Sequence, residues 1–277
     1  MDIHAIQTGS VQITRNWRIG HGAYLPRLAR TLLDTQKTDW LPVLTWVIEH
    51  PEGLIVVDTG IPADANKAVY FPPFMPLIQR AASFQVTPGD EIGGQMKVHG
   101  WSPDDVRWVV LTHLHQDHDG GLHWFPQAEF IVAAAEWQAA AGFGGRMGGY
   151  LNQRWPGWFA PRPITFDPAA LPPFAGAYPL TQAGDVLLVP TPGHSAGHLS
   201  VVCRQDDHAV IIAGDVSYTQ ELLWSDQPDG VAVSAEQQID SRRRIRDFAR
   251  QQPTIYLPSH DPESAMRLER KQMVEPL

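Results

Sequence analysis

The chain carries a single cysteine, Cys203, among its 277 residues. No intrachain disulfide can form, which argues against the cross-linked scaffolds of small secreted domains. Cys203 lies in the strand-like stretch 199–203 and is expected to pack as a small apolar residue. No secretory signal is expected, since residues 1–7 carry an acid and a histidine where a basic stretch and an apolar core would be needed. No run of about 18 apolar residues occurs, so no membrane-spanning helix is expected. A reducing cytoplasm is the expected location. Positive charge is scarce, with 21 Lys and Arg against 30 Asp and Glu for a net charge of −9. No basic run exceeds residues 242–244, so neither nucleic acid nor a membrane surface is expected as a partner. Arg242, Arg243, Arg244 and Arg246 share a predicted helix with Asp240 and Asp247 and read as a solvated face.

Apolar residues make up 43% of the chain, enough for a sizeable core. Residues 3–14 alternate around Thr8, Gly9 and Ser10 and predict a hairpin; a second is predicted over 43–57, turned at His50, Pro51, Glu52 and Gly53. Residues 129–133 read as a strand and 134–141 as a short helix. Ser234 followed by Gln237 forms a capping-box pattern for a helix running to about Gln251. Its apolar face is Ala235, Ile239, Ile245, Phe248 and Ala249, and Pro253 ends it. A last helix is expected over 262–271. Two loop-rich excursions interrupt this order, at about 62–100 and about 142–179. The second is rich in glycine, proline and aromatics, and reads either as a cover packed on the core or as a wall of a substrate cleft. Residues 71–76 and the initial segment could pack against a second subunit, giving a homodimer, or cover their own cleft.

The densest chemistry lies at His113, His115, Asp117 and His118, directly after the apolar stretch 106–111. That stretch reads as a buried strand, which places the four side chains in a loop at its end. Imidazoles two apart can converge there on one ion while Asp117 and His118 face a neighbouring one. His194 follows the strand-like 186–189, Asp215 ends the apolar run 209–214, and His260 follows 254–257. Strand ends along one sheet edge lie side by side, which gathers ligands distant in sequence. Convergence of side chains from 113 to 260 also favours one domain spanning 1–277. Five histidines and two aspartates exceed what one tetrahedral zinc takes, so a two-metal site is inferred. Mixed imidazole and carboxylate donors suit zinc but also cobalt, manganese or iron.

These residues resemble the metallo-β-lactamase superfamily, over about Ile48 to His260, and the stretch ending in Asp58, Thr59 and Gly60 is similar to that family's early hairpin and turn. Tyr218, three residues after Asp215, resembles the spacing in the N-acyl homoserine lactone lactonases. The resemblance implies a four-layer αββα sandwich of mixed α/β class. It also implies that His113, His115 and His194 hold the first ion, that Asp117, His118 and His260 hold the second, and that Asp215 bridges them. The implied activity is opening of the lactone ring of N-acyl homoserine lactones, hence quorum quenching, by attack of a metal-bridging hydroxide. Asp117 would protonate the leaving alkoxide, and Tyr218 would donate a hydrogen bond to the carbonyl or leaving oxygen. The implied substrate combines an apolar acyl tail with a small polar ring.

The same machinery would serve other lactones or organophosphate triesters. A glyoxalase-II-like thioester hydrolase would call for basic residues toward an acidic glutathione moiety, and none is signalled after Asp215. Enzymes that open β-lactams usually lack the Asp117 and Asp215 pairing, and a diiron electron-transfer protein would have glutamate where His115 stands. A non-catalytic metal-stabilised binding module is disfavoured by retention of every ligand. Asp58 reads as an acceptor orienting a ligand imidazole. His198 reads as structural, His123 has no partner by spacing, and His4, His21, His50, His99 and His208 read as surface residues.

Overall fold

In the computed structural model, residues 1–67 and 69–275 are described; Ala68, inside the first excursion, and residues 276–277 lie outside the described residues. The chain begins with β1 (Asp2–Ile13), two helices α1 (Arg15–Arg18) and α2 (Tyr24–Leu33), and the hairpin β2 (Leu41–Glu49) and β3 (Leu54–Val57). The first excursion holds α3 (Pro76–Ala81), β4 (Ala82–Gln85) and α4 (Ile92–Val98). Then come β5 (Val106–Val110), β6 (Glu129–Ala133), α5 (Ala134–Ala140), α6 (Gly142–Met147), β7 (Arg162–Ile164) and β8 (Tyr178–Pro179). The remainder is β9 (Val186–Pro190), β10 (Leu199–Arg204), β11 (Ala209–Gly214), α7 (Ala235–Gln251), β12 (Thr254–Pro258) and α8 (Ser264–Glu269).

The strands form a seven-stranded sheet in the order β4-β1-β2-β3-β5-β6-β7 and a five-stranded sheet in the order β12-β11-β10-β9-β8. Both are mixed: β3, β5, β6 and β7 run parallel, as do β11 and β12. Strand periodicity explains how the sheets stack, because alternate side chains leave opposite faces. On β2, Trp46 and Ile48 face Leu188, Val201, Ile212 and Leu257 of the second sheet, whereas Val47 turns outward with Val56 and Val109 onto Ile92 and Met96 of α4. Ile245, Phe248 and Ala249 of α7 cover Leu187, Val202 and Ile211 on the far side. Helix, sheet, sheet and helix layers result, as the family resemblance implies. Strands covered on both faces need no polar alternation, which is why 209–214 reads as an unbroken apolar run and 106–111 is interrupted only by the exposed Arg107.

Several expectations change. Residues 3–14 do not turn back as a hairpin. They run on as one strand, because β2 is long enough to pair with nearly all of it and β4 takes its far end. The Thr8 to Ser10 stretch is a bulge in that pairing, with one extra residue accommodated at Gly9, φ 123°. Arg242 is not on a solvated face. It is 1% exposed, and its guanidinium donates to the carbonyls of Val216 (2.7 Å) and Gln227 (2.6 Å), closing a loop onto α7. His50 and His208 are largely buried rather than superficial; His50 packs against Asp185 at 3.1 Å. Ser234 caps α7 as expected, accepting the Gln237 N–H at 3.3 Å.

The second excursion divides between its two readings. Trp155 and Phe159 join Trp137 and Phe130 on the outer face of the first sheet, and Phe174 packs on Phe248, so most of its aromatics are cover. Met147 to Tyr150 alone reach the cleft described below. Among the described residues no helix is long and apolar enough to cross a membrane.

Cys203 is fully buried between the sheets, and burial pushes its thiol up to about 12. A thiol reagent at neutral pH should therefore leave the native protein unmodified and label it once after denaturation. Stoichiometric labelling of the native state, read by intact mass, would contradict this packing.

Candidate metal centre

Parallel pairing sets the C-terminal ends of β3 and β5 side by side, so the residues that follow them, Asp58 and Thr112, meet. Asp58 adopts φ 61°, an uncommon backbone state for a residue other than glycine. There its carboxylate accepts the Thr112 N–H (2.8 Å) and hydroxyl, and reaches His118 Nδ1 at 2.7 Å. Thr59 donates its N–H to the His118 carbonyl at 2.7 Å. The early Asp-Thr-Gly turn thus holds the 113–121 loop, and Asp58 orients His118 as the sequence suggested. Parallel β11 and β12 do the same in the second sheet, placing Asp215 beside His260. His194 enters from the β9–β10 connection.

All seven expected residues converge. Three groups have ligand atoms within 4.8 Å of one another: His113, His115 and His194; His113, His118 and Asp215; and Asp117, His118 and His260. Two donors about 2.0–2.1 Å from one ion at a tetrahedral angle lie about 3.4 Å apart. The observed separations match: His115 Nδ1 to His194 Nε2 is 3.0 Å, and His260 Nε2 to Asp117 Oδ2 is 3.5 Å. Asp215 divides its oxygens. Oδ1 lies 3.4 Å from both His118 Nε2 and His260 Nε2, while Oδ2 lies 3.5 Å from His194 Nε2.

The imidazoles are oriented from behind. Nδ1 of His118 faces Asp58, that of His194 faces Asp229 at 2.8 Å, and that of His260 faces the Pro42 carbonyl at 2.9 Å. A proton on Nδ1 leaves the Nε2 lone pair pointing inward, the tautomer a cation requires. His113 Nε2, His118 Nε2 and Asp215 Oδ1 are buried with no hydrogen-bond partner. Orphaned buried acceptors are costly, and a pair of divalent cations would satisfy them, so the donor set fits metal. Burial, reinforced by neighbouring imidazoles, holds His113 and His115 well below the ordinary histidine range. Burial opposes ionisation of Asp215, but His260 and His118 outweigh it and hold the carboxyl well below its usual value.

Three supporting residues, Asp229, Glu136 and Trp17, escaped the sequence reading. Asp229 orients His194 and accepts the Gln238 amide at 2.6 Å. Glu136, fully buried on α5, accepts Leu114 N–H (3.1 Å), Ser195 hydroxyl (2.7 Å) and Gly197 N–H (2.9 Å), tying the 113–118 loop to the 194–198 loop. Trp17 donates its indole N–H to the Tyr218 hydroxyl at 2.9 Å. An acid in an alanine-rich helix or an aspartate in a polar loop carries no local sign of such roles. His198, structural as expected, holds the backbone of the shared carboxylate. Its Nε2 accepts the Asp215 N–H at 3.0 Å, and burial pushes it down to about 3, leaving it neutral. Gly214 permits this approach, since a Cβ there would meet His198 Nε2 at 2.6 Å.

A cavity of about 190 Å³ opens onto the cluster. Its floor includes His115, Asp117, His194, Asp215, Tyr218 and His260, and its walls include Trp17, Tyr24, Leu28, Ile78, Phe84 and Met147. From the initial segment Val11, Ile13, Trp17, Tyr24, Leu28 and Leu32 line this cavity, and from the first excursion Ile78, Ala82 and Phe84 do, while residues 71–76 do not. Tyr218 is 3% exposed and stacks on His260 with ring centroids 5.3 Å apart. Burial and the neighbouring carboxylates hold its hydroxyl well above the ordinary tyrosine value, so it is protonated. Among the described lining residues none is lysine or arginine.

Comparison with known proteins agrees with this geometry. An N-acyl homoserine lactonase of Bacillus thuringiensis subsp. kurstaki is 28% identical over 232 residues, covering 80% of this chain and 82% of that protein. A "Probable metallo-hydrolase" of Mycobacterium tuberculosis is 30% identical over 207 residues, 73% of this chain and 66% of its own length. Among solved structures, an N-acyl homoserine lactone hydrolase with N-hexanoyl-L-homoserine bound at its catalytic metal centre has a TM-score of 0.77 at 25% identity, covering 99% of this chain and 97% of that one. The model of the metallo-β-lactamase superfamily matches residues 38–260, the span that holds all seven clustered side chains. The chain belongs to the metallo-β-lactamase superfamily.

Proposed function

We propose that this protein is a dinuclear metal-dependent hydrolase that opens the lactone ring of N-acyl homoserine lactones, a quorum-quenching activity. The observation that carries the reading is Asp215, one oxygen toward each histidine group, at the floor of an apolar cavity. His113, His115 and His194 would hold one divalent ion, and Asp117, His118 and His260 the other, with Asp215 between. Zinc suits these donors best. Bound there, the pair would supply a water ionised near neutral pH and an electrophile for the carbonyl oxygen.

The protein's own groups account for the remainder. Tyr218, protonated and beside the cluster, donates a hydrogen bond to a substrate oxygen as the ring opens. Asp117 lines the cavity with its side chain partly exposed, placed to take up the proton released by the attacking water and return it to the leaving alkoxide. Trp17, Leu28, Ile78 and Phe84 offer an apolar wall to an acyl tail. A lining without lysine or arginine disfavours an acidic glutathione thioester, because a buried anion without a partner is strongly penalised. The similarity to lactonases over most of the chain supports the substrate class.

Elemental analysis of reconstituted protein should give two ions per chain, and Asp215→Ala should hold fewer than one. Asp229→Ala, which frees His194 from its partner, should weaken metal binding by roughly 10- to 100-fold. A single ion in saturated protein would refute the dinuclear reading. Against a panel of homoserine lactones, thioesters and phosphotriesters, lactones should turn over fastest. Tyr218→Phe should lower kcat on lactones by roughly 100-fold; unchanged turnover would remove Tyr218 from the reaction.

A further inference from the structure

The segment before residue 38 lies outside the family match, yet it contributes α1 and α2 to the cavity. Trp17 of α1 is fixed from several directions. Its carbonyl accepts the Gly230 N–H at 2.7 Å. The neighbouring Asn16 binds Asp34 through its N–H and its side chain, at 3.1 and 2.8 Å, while its carbonyl accepts the Thr31 hydroxyl at 3.0 Å. So anchored, the indole points its N–H at Tyr218 Oη, 201 residues away in sequence.

An indole N–H is a donor with no acceptor capacity, whereas a phenol both donates one proton and accepts. With Trp17 occupying an acceptor position of the oxygen, the Tyr218 proton cannot be directed toward the indole. Among the described residues Trp17 is the hydroxyl's one hydrogen-bond partner, and both side chains line the cavity. The stacking of Tyr218 on His260 fixes its ring plane. The proton therefore has one destination, an acceptor within the cavity.

We propose that Trp17 is a positioning residue that makes the Tyr218 hydroxyl an obligatory donor aimed at a substrate oxygen. The proposal rests on the lactonase reading above. It places part of the reaction's control in the helical segment that precedes the family-matched region. Through Gly230 the same segment also holds the loop that carries Asp229, the partner of His194.

Trp17→Phe keeps an aromatic ring and removes the N–H. On a homoserine lactone it should lower kcat about five- to tenfold with KM nearly unchanged, the size of one lost hydrogen bond. Metal content and melting temperature should stay at the parent values. In a Tyr218→Phe background the same change should cost nothing further. An equal loss in both backgrounds, or a loss confined to KM, would show that Trp17 only packs and would overturn the proposal. If Trp17→Phe binds less metal or melts early, benzothienylalanine at position 17 supplies an indole-shaped side chain without the N–H, and the same two-background comparison decides. Normal kcat in that variant, with Tyr218→Phe impaired, overturns the role of Trp17 alone. Normal kcat in Tyr218→Phe itself overturns the hydrogen-bond role of Tyr218 and this proposal together, while lactone hydrolysis would stand.

Discussion

A single buried carboxylate, Asp215, facing imidazoles on two sides is the constraint on which the rest of the site depends. At 2% exposure its charge would be expensive without compensation, and the protein surrounds it with His118 and His260 on one oxygen and His194 on the other. Its backbone is held as firmly, with His198 receiving its N–H. Parallel pairing of β11 with β12 sets it next to His260, and the sandwich brings the 113–118 loop of the opposite sheet to meet it. In the function proposed above, this carboxylate would be the ligand common to both histidine groups.

The supporting polar groups show how such a cluster survives inside an apolar core. The inward-facing imidazoles braced through Nδ1 have different partners: the Thr112 hydroxyl for His113, a carboxylate for His118, another for His194, a backbone carbonyl for His260. Glu136 bonds to both ligand-bearing loops, so neither can shift without breaking buried hydrogen bonds. The N-terminal helices close the cavity over this framework. They supply apolar wall and, at Trp17, a donor that reaches Tyr218 beside the cluster. The selectivity expected of the cavity follows from what lines it: apolar side chains around a polar floor, with no fixed positive charge among the described lining residues.

Much of the frame was legible in sequence. The runs 106–111 and 209–214 are legible as strands because buried strands are mostly apolar, with Arg107 the one exposed exception, and Ser234 marks a helix start because its hydroxyl caps one. Other features misled. The bulge at Gly9 looks like a turn, since a glycine flanked by polar residues serves either purpose, and β2 and β4 decide which. Arg242 looks solvated among its neighbours, but α7 turns that position inward, where carbonyls of an adjoining loop receive it. The aromatics of 142–179 fit a cover or a cleft wall equally well in sequence; in the structure Trp155 and Phe159 pack on the outer face of the first sheet, Phe174 packs beneath α7, and only Tyr150 lines the cavity.

The sequence by itself determined the chemistry available, seven donors in the connections that follow strands. Local spacing carries that information because a strand's end fixes where the next residue points. The expectation that one sheet edge would collect them is overturned, because residues 113–118 follow β5 of the seven-stranded sheet whereas His194, Asp215 and His260 follow β9, β11 and β12 of the five-stranded one. Only the tertiary structure decided which oxygen of Asp215 faces which histidines, that Asp229 and Glu136 brace them, and that Trp17 reaches Tyr218. Those relations join residues tens to hundreds of positions apart, through contacts that exist only once two sheets have packed and the N-terminal helices have closed over them.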